Sequence, residues 1–451
     1  MNKKLLTVLF LGVLMGALDI AIIGPVMPAL RETFAVDGRT ISWVFNIYIL
    51  ANLISTPLMS KLSDLYGRRW IYIMDLFLFA MGSMLIVATN SFEMFLLGRA
   101  IQGFGAGGIF PVASAVIGDK VPKEKQGTAL GLIGAVFGLA FILGPIIGGI
   151  FLQWHWKWIF AINLPVALLI MILAYKVLPS ERTSDKMKFD WEGMLLMILS
   201  LGTFTYGITQ IDSTHFFESV KQPAVWGYFL VSFIALVRFY LRQAKISYPI
   251  LNTNLLRSRQ LRLVYMLALG AGVGEVGAIF IPALAKISYN ISNHDASFML
   301  MPMVVALFIG APLAGKAIDS TGPKTVIIAG SFILAIGQFL IAFFPADKMY
   351  FYTGEIFLGL GLSALLGAPL RYIMNHETTD DERASGQSVL SIFTSVGQMT
   401  SAALVGALIA SLGGELLGYK NAFIGLGIIA VLTMVVAISI KGYPKASKAK
   451  T

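Results

Sequence analysis

The sequence predicts an all-α polytopic membrane protein of fourteen spanning helices, arranged as two six-helix bundles plus two inserted helices. Three observations carry this prediction: the composition, the run of apolar segments with the charge of the loops between them, and an internal repeat. Of 451 residues, 57% are hydrophobic and 13% are charged, against roughly 25% charged in soluble proteins. The mean hydropathy of +0.78 agrees. Too little charge is present to cover a soluble surface of this size, so lipid is the expected solvent for most of it.

The elements follow from one length rule. A spanning helix needs about 20 apolar residues at 1.5 Å each. In chain order, runs that satisfy it fall at about 5–30, 40–60, 70–89, 94–117, 127–151 and 158–177. Two more fall at about 192–211 and 224–241. Six close the chain, at about 262–285, 295–315, 323–344, 350–374, 386–411 and 421–440. The first run opens after Met-Asn-Lys-Lys and continues to Leu30. It is longer than a signal-peptide core and no small-x-small cleavage site follows it, so it reads as a retained first span.

The loops test the count. Of the 34 Lys and Arg, 26 lie in one set of alternate loops, which includes Lys61, Arg68, Arg69, Lys120, Lys316, Lys324 and Arg383, and 7 lie in the other set. This bias marks the cytoplasmic side. With an even number of spans it puts both termini in the cytoplasm of a multi-pass cell (inner or plasma) membrane protein. The net charge of +10 is thereby an orientation signal, and nucleic acid is not expected as a partner. There is no Cys, and the four His are scattered. Thiol chemistry is excluded and no metal site is expected.

The repeat sets the domains. Ser60–Arg69 aligns with Gly315–Lys324, 255 residues on, and both segments carry Asp-x-x-Gly followed by a base. Each follows the second span of a six-span half. A weaker echo sets Gly127 and Gly138 against Gly386 and Gly397. Parallel repeats of this kind are a transporter architecture, with substrate bound between the halves. The predicted organisation is a bundle over 1–180, a linker and two-helix insert over 181–259, a second bundle over 260–441 and a cytoplasmic tail over 442–451.

Charge inside a span is costly and marks functional positions. Asp19 lies about 21 Å along the first span and Arg99 about 8 Å from the outer end of the fourth, which puts them at one depth. Glu275 lies about 20 Å along the first span of the second half, among Gly270, Gly272, Gly274 and Gly277, which permit close approach. Burial disfavours a charged carboxylate and a nearby guanidinium favours it. A carboxyl between these influences can load and release protons near neutral pH. Asp19, Arg99 and Glu275 are therefore the predicted proton-coupling residues. Glu355 is expected to be solvated near the outer mouth, and Asp75 to be structural. Trp43, Asn46, Tyr48, Gln102, Phe137 and Phe141 are candidate substrate-lining residues, since aromatic walls suit flat hydrophobic cations.

The chain resembles the major facilitator superfamily, and within it the fourteen-helix drug:proton antiporters. The Lys61–Arg69 loop is similar to the signature between helices 2 and 3 of that superfamily. Arg99 with Gln102, Gly103, Gly105 and Gly107 resembles its helix 4 motif. Gly144, Pro145, Gly148 and Gly149 resemble its helix 5 antiporter motif. Leu18-Asp19 through Gly24-Pro25, Trp154 through Pro165, and Asp190-Trp191-Glu192-Gly193 resemble stretches of the fourteen-helix branch. Ala21 departs from the usual Thr of helix 1, and Ala140 from the usual Gly of helix 5.

The resemblance implies a major facilitator fold and proton-coupled efflux of lipophilic, often cationic, drugs or dyes by alternating access. It implies a conformational latch at Asp64, Gly67, Arg68, Arg69, Asp119 and Asp319, with Asp64 facing a helix N-terminus and Asp119 pairing with Arg68. It also implies a tight helix contact at the helix 5 motif, where small residues let backbones approach. The expected partners are a small lipophilic substrate, protons and the lipid bilayer, with the chain as a monomer. No cofactor is expected: the proton gradient is the energy source. No Walker A, HExxH or nucleophile-elbow sequence is present, so no enzyme is expected. Two other readings stand beside this one: a transporter of a physiological lipid or metabolite, and a non-transporting membrane sensor.

Overall fold

The computed structural model describes residues 3–36, 41, 43–180, 190–211, 215–246, 249–251, 253–291, 296, 298–412 and 415–443. Within its helices, the side chains of residues 24, 25, 27, 28, 31, 141, 142, 145, 146, 209, 254, 381, 384, 410 and 411 lie outside that description. The described residues contain helices and no strand. In order they are α1 (Lys3–Phe34), α2 (Trp43–Tyr66), α3 (Arg68–Ala88), α4 (Phe92–Lys120), α5 (Lys123–Leu152), α6 (Lys157–Ala161) and α7 (Asn163–Val177). Then come α8 (Trp191–Thr209), α9 (Phe216–Lys221), α10 (Pro223–Gln243), α11 (Thr253–Arg257) and α12 (Arg259–Tyr289). The last are α13 (Met301–Thr321), α14 (Pro323–Phe343), α15 (Lys348–Leu366), α16 (Ala368–Glu377), α17 (Arg383–Ser411) and α18 (Leu416–Ile438).

Among the described residues, thirteen helical segments are long and apolar enough to cross a membrane, and they match thirteen of the fourteen predicted spans. The fourteenth prediction, 127–151, falls on α5, which has 30 residues and a part of its side chains outside the description. The chain is a polytopic all-α membrane protein. Helix starts carry local reasons. Ser91 accepts from the Met94 N–H, Ser258 from Leu261, and Asp347 from Met349 and Tyr350, each satisfying amide groups that the first turn leaves open. Pro223 and Pro323 occupy first-turn positions, where a missing N–H costs nothing.

The chain forms two compact units. The first comprises Met1–Val121, Val136–Met194 and Thr378–Ser388; the second comprises Pro122–Ala135, Leu195–Glu377 and Val389–Thr451. In the first unit α4 packs along α2 and α3, and α7 packs on α3 and α1. In the second, α14 and α13 pack on α15, and α18 packs on α14 and α12. The predicted insert helices α8 and α10 pair through reciprocal bonds: Ser200 Oγ donates to the Ser232 carbonyl at 3.1 Å and Ser232 Oγ to the Ser200 carbonyl at 2.8 Å. Their rings interlock at Tyr206–Tyr228, 4.8 Å apart. One face of α10, with Trp226, Leu230, Phe233 and Val237, is exposed, as lipid contact requires. The predicted linker lies mostly outside the described residues.

The repeat recurs in atomic detail. Gly67 and Gly322 adopt φ of 94° and 85°, a region closed to most L-residues, and each precedes the first residue of a helix. A Cβ built on Gly98 would lie 2.6 Å from Ile86 Cγ1 and 3.0 Å from the Gly82 carbonyl. A Cβ on Gly354 would lie 2.7 Å from Ile341 Cγ1 and 3.1 Å from the Gly337 carbonyl. The α3–α4 and α14–α15 contacts are thus the same contact. They make Arg99 and Glu355 equivalent, with an offset of one residue from the 255 of the loop motif.

Candidate functional site

Polar groups in the first unit collect at two levels. The deeper level centres on Asp19, one of five polar side chains that meet from α1, α3, α4 and α7. Its carboxylate and the Arg99 guanidinium have side-chain exposures of 2% and 0%. Arg99 Nη1 donates to Asp19 Oδ2 at 2.5 Å and to Gln102 Oε1 at 2.6 Å. Arg99 Nε donates to the Val44 carbonyl at 3.1 Å. Asp19 Oδ1 accepts from Gln102 Nε2 at 2.8 Å and from Asn163 Nδ2 at 3.4 Å. Ser83 Oγ accepts from both amides, at 2.9 Å and 3.4 Å. The Tyr48 ring lies 4.3 Å from the guanidinium carbon, close enough for a cation–π contact.

This network answers the main cost of burial. A charge removed from water is tolerated only when paired and hydrogen-bonded. Asp19 receives three donors and Arg99 a carboxylate, an amide, a carbonyl and a ring. Above it, toward Phe34, lies an apolar plug of Ile22, Val26, Leu30, Val44, Phe95, Trp156 and Phe160. The rings of Phe34, Phe95, Trp156 and Phe160 contact one another edge-on or tilted. The small residues of the helix 5 motif lie close by. A Cβ on Gly144 would sit 2.8 Å from Ala21 Cβ, so Ala21 abuts the α5 backbone two residues from Asp19.

The second level is at the Asp64 end of α2. Arg68 pairs with Asp64, and its Nε donates to Asp119 Oδ2 at 3.2 Å. Arg383 Nη1 donates to the other Asp119 oxygen at 2.5 Å. Asp64 Oδ2 accepts from the backbone N–H of Ser385 at 3.2 Å and from its hydroxyl at 2.7 Å. Ser385 is in the first turn of α17, so the carboxylate meets the positive end of a helix. In the second unit Asp319 does the same for α5, accepting from the Gly127 and Thr128 N–H groups at 3.0 Å and 3.1 Å.

Some predicted residues stand elsewhere. Arg69 does not join the Asp64 cluster: its Nε donates to the Leu178 carbonyl at 2.6 Å, at the end of α7, and its guanidinium lies over the Tyr175 ring. Gly149 has nothing within 4 Å of a built Cβ, so the tight contact expected of the helix 5 motif is made by Gly144 and not there. Gly148 is buried. The side chains of Pro145 and Phe141 lie outside the described residues. Phe137 packs edge-on against Phe110 at 5.2 Å. Trp43 and Asn46 are half-buried on α2, while Tyr48 and Gln102 are sealed inside the Asp19 network. Glu275 is half-buried on α12 and makes no hydrogen bond or ion pair among the described residues.

Glu355 corrects an expectation. It is not solvated: its exposure is 0%, and neither carboxyl oxygen has a hydrogen-bond partner among the described residues. Counting residues from Lys348 gives its depth, but not the face of α15 it occupies. Asn163 and Ser83 join the site without a mark in the sequence, because a single polar residue in a span has no spacing to give it away. Their one signal is position: each stands at the depth of Asp19.

Comparisons with known proteins agree with this architecture. The chain is 34% identical over 88% of its length, and 77% of the relative, to the uncharacterized MFS-type transporter YfiU of Bacillus subtilis. It is 27% identical over 92% of its length, and 77% of the relative, to the multidrug transporter protein MdtP of the same organism. Its fold matches the human organic anion transporter MFSD10 with a TM-score of 0.74, at 16% identity, over 96% of this chain and 99% of that one. The family model of the Major Facilitator Superfamily matches residues 9–288 and 276–451. The chain therefore belongs to the major facilitator superfamily.

Proposed function

We propose that this transporter exports lipophilic, often cationic, compounds from the cytoplasm or inner leaflet in exchange for protons, by alternating access. The observation that carries the reading is the Asp19 carboxylate, sealed in an apolar span yet held by Arg99, Gln102 and Asn163. Intramembrane carboxylates of this kind are sites where proton uptake does work. A proton on Asp19 removes the charge that Arg99 holds. The pair then loosens, and the packing of α1 on α4 and α7 changes with it. Glu275, half-buried and without a hydrogen bond or ion pair among the described residues, is the group that a cationic substrate or a second proton neutralises. At Glu275 proton and cationic substrate stabilise the same carboxylate and so exclude each other, which couples their movements.

The likeness to a relative named a multidrug transporter supports a drug or dye as substrate. The loop charges support a cell-membrane orientation with both termini and the Asp64 loop in the cytoplasm. The Asp64, Arg68 and Asp119 cluster is the latch of this reading: its ion pairs must part when the cytoplasmic face opens. The working unit is a monomer, and its energy source is the proton gradient.

The test is transport by the purified chain in liposomes under an imposed pH gradient, with dyes and lipids screened as cargo. Wild type is expected to accumulate a cationic dye against its gradient. Asp19→Asn is expected to lose uphill transport and keep dye binding. Glu275→Gln is expected to weaken binding of cationic more than neutral cargo. Uphill dye transport unchanged in Asp19→Asn removes the coupling site, and movement of lipids alone turns the reading toward lipid transport.

A further inference from the structure

The geometry points to Asp75 as a second proton-carrying site of the first unit, standing between the Asp19 network and the Asp64 cluster. Asp75 lies on α3 with 0% exposure, and neither of its carboxyl oxygens has a hydrogen-bond partner among the described residues. An ionised carboxylate in that setting would have no compensation for its lost hydration, so the group there is the neutral acid. It is seven residues from Arg68 and eight from Ser83 on the same helix, about 10 Å and about 12 Å along the axis. Arg68 belongs to the Asp64 cluster, and Ser83 to the Asp19 network.

The repeat shows that packing does not require an acid here. In the first unit a Cβ on Gly108 of α4 would collide with Asp75 Oδ2, and one on Gly105 would lie 2.5 Å from the Asp75 carbonyl. In the second unit the same helix contact sets Gly330 against Ala364 and the Gly361 carbonyl. A glycine on α14 and an alanine on α15 thus fill the space that an aspartate and a glycine fill on α3 and α4. The apolar solution costs no desolvation of a carboxyl, and the first unit does not use it.

Among the described residues no cation pairs with Asp75. Tyr72 on its own helix is the neighbouring titratable group, and its hydroxyl is directed at the Val8 and Leu9 carbonyls, 3.5 Å and 3.4 Å away. From the packed helices, Asp19 on α1, Lys61 and Asp64 on α2, Arg99 and Asp119 on α4, and Tyr175 and Lys176 on α7 make no bond to it. In the transport cycle the Asp75 O–H breaks first, when cytoplasmic water reaches α3, and the proton leaves as hydronium. An O–H bond at the Asp19 carboxyl, or at a water beside it, then breaks, and one forms again at the Asp75 carboxylate.

This inference rests on the proton-coupled reading, and the test separates the two. Asp75→Asn is neutral and nearly isosteric, so it preserves packing. In proteoliposomes it is expected to keep substrate exchange without a pH gradient within twofold of wild type, and to lose at least tenfold of uphill transport driven by the gradient. In infrared difference spectra between acid and alkaline pH, wild type is expected to show a protonated carboxyl C=O band that Asp75→Asn lacks. If Asp75→Asn transports uphill like wild type and the band persists, Asp75 is a static neutral acid and the inference fails. If wild type itself moves no protons, the proton-coupled reading fails first. Asp75→Gly with Gly108→Ala, copying the second unit, supplies a folded variant should Asp75→Asn not fold.

Discussion

Arg99 and Glu355 occupy the same place in the two units, each fully buried on the fourth spanning helix of its repeat, one a base and the other an acid. The surroundings differ in kind. Arg99 has a carboxylate, an amide oxygen, a carbonyl and an aromatic ring, whereas neither oxygen of Glu355 has a hydrogen-bond partner among the described residues. One position stores favourable electrostatics and the other stores a desolvation cost. Their replacement should therefore move stability in opposite directions.

Arg99→Leu leaves Asp19 buried with two amide donors and no counter-charge. Breaking a buried pair from one side costs about 3–5 kcal/mol. Thermal or denaturant unfolding of the purified protein should show that loss, and Arg99→Leu combined with Asp19→Asn should recover most of it. Equal stability of Arg99→Leu and wild type would mean that the pair contributes nothing to the fold.

Glu355→Leu removes an acid whose hydrogen bonds are unmade. An unsatisfied buried polar group costs about 1–3 kcal/mol, so the variant should be more stable by up to that amount. The same unfolding measurement reads it. A clear loss of stability would show that Glu355 has a compensating interaction, such as bound water, in the membrane.

These two positions also mark how far the sequence could be read. Asp19 and Arg99 were found at one depth by counting residues along apolar runs, because 1.5 Å per residue converts number into height. Height does not give azimuth. For that reason the sequence places Glu355 in solvent and Tyr48 and Gln102 along a substrate path, whereas Glu355 is buried and the other two are sealed in the Asp19 network. The Asp-x-x-Gly repeat was legible because a glycine at positive φ leaves a fixed mark in sequence. The pairing of Gly82 with Gly98 and of Gly337 with Gly354 was equally present, but a glycine that permits contact looks like any other until its neighbour is known. Asn163 and Ser83 carry no period at all.

Gly67→Ala and Gly322→Ala should cost alike. Their φ of 94° and 85°, with ψ of 145° and 159°, lie in a region used almost only by glycine. Holding alanine there costs about 1–3 kcal/mol. Unfolding of each single variant should show that loss, and the double variant should show their sum, since the sites lie in different units. A substitution that costs nothing would mean that the turn readily rearranges.

Arg69→Ala tests whether this residue belongs to the latch or to a helix end. Its guanidinium donates to the Leu178 carbonyl at the end of α7, and its repeat counterpart Lys324 donates to the Ile438 and Ile440 carbonyls at the end of α18, at 2.7 Å and 2.9 Å. Both cations meet the negative end of the last spanning helix of their repeat, an interaction of about 0.3–2 kcal/mol. The energy is small, so the fitting readout is local. Hydrogen exchange should speed up in the last turn of α7 for Arg69→Ala and in the last turn of α18 for Lys324→Ala. Asp64→Asn should leave both helix ends as protected as in wild type and loosen the start of α17 instead, where Ser385 loses a charged acceptor. Faster exchange around Ser385 in Arg69→Ala, with α7 unchanged, would return Arg69 to the latch.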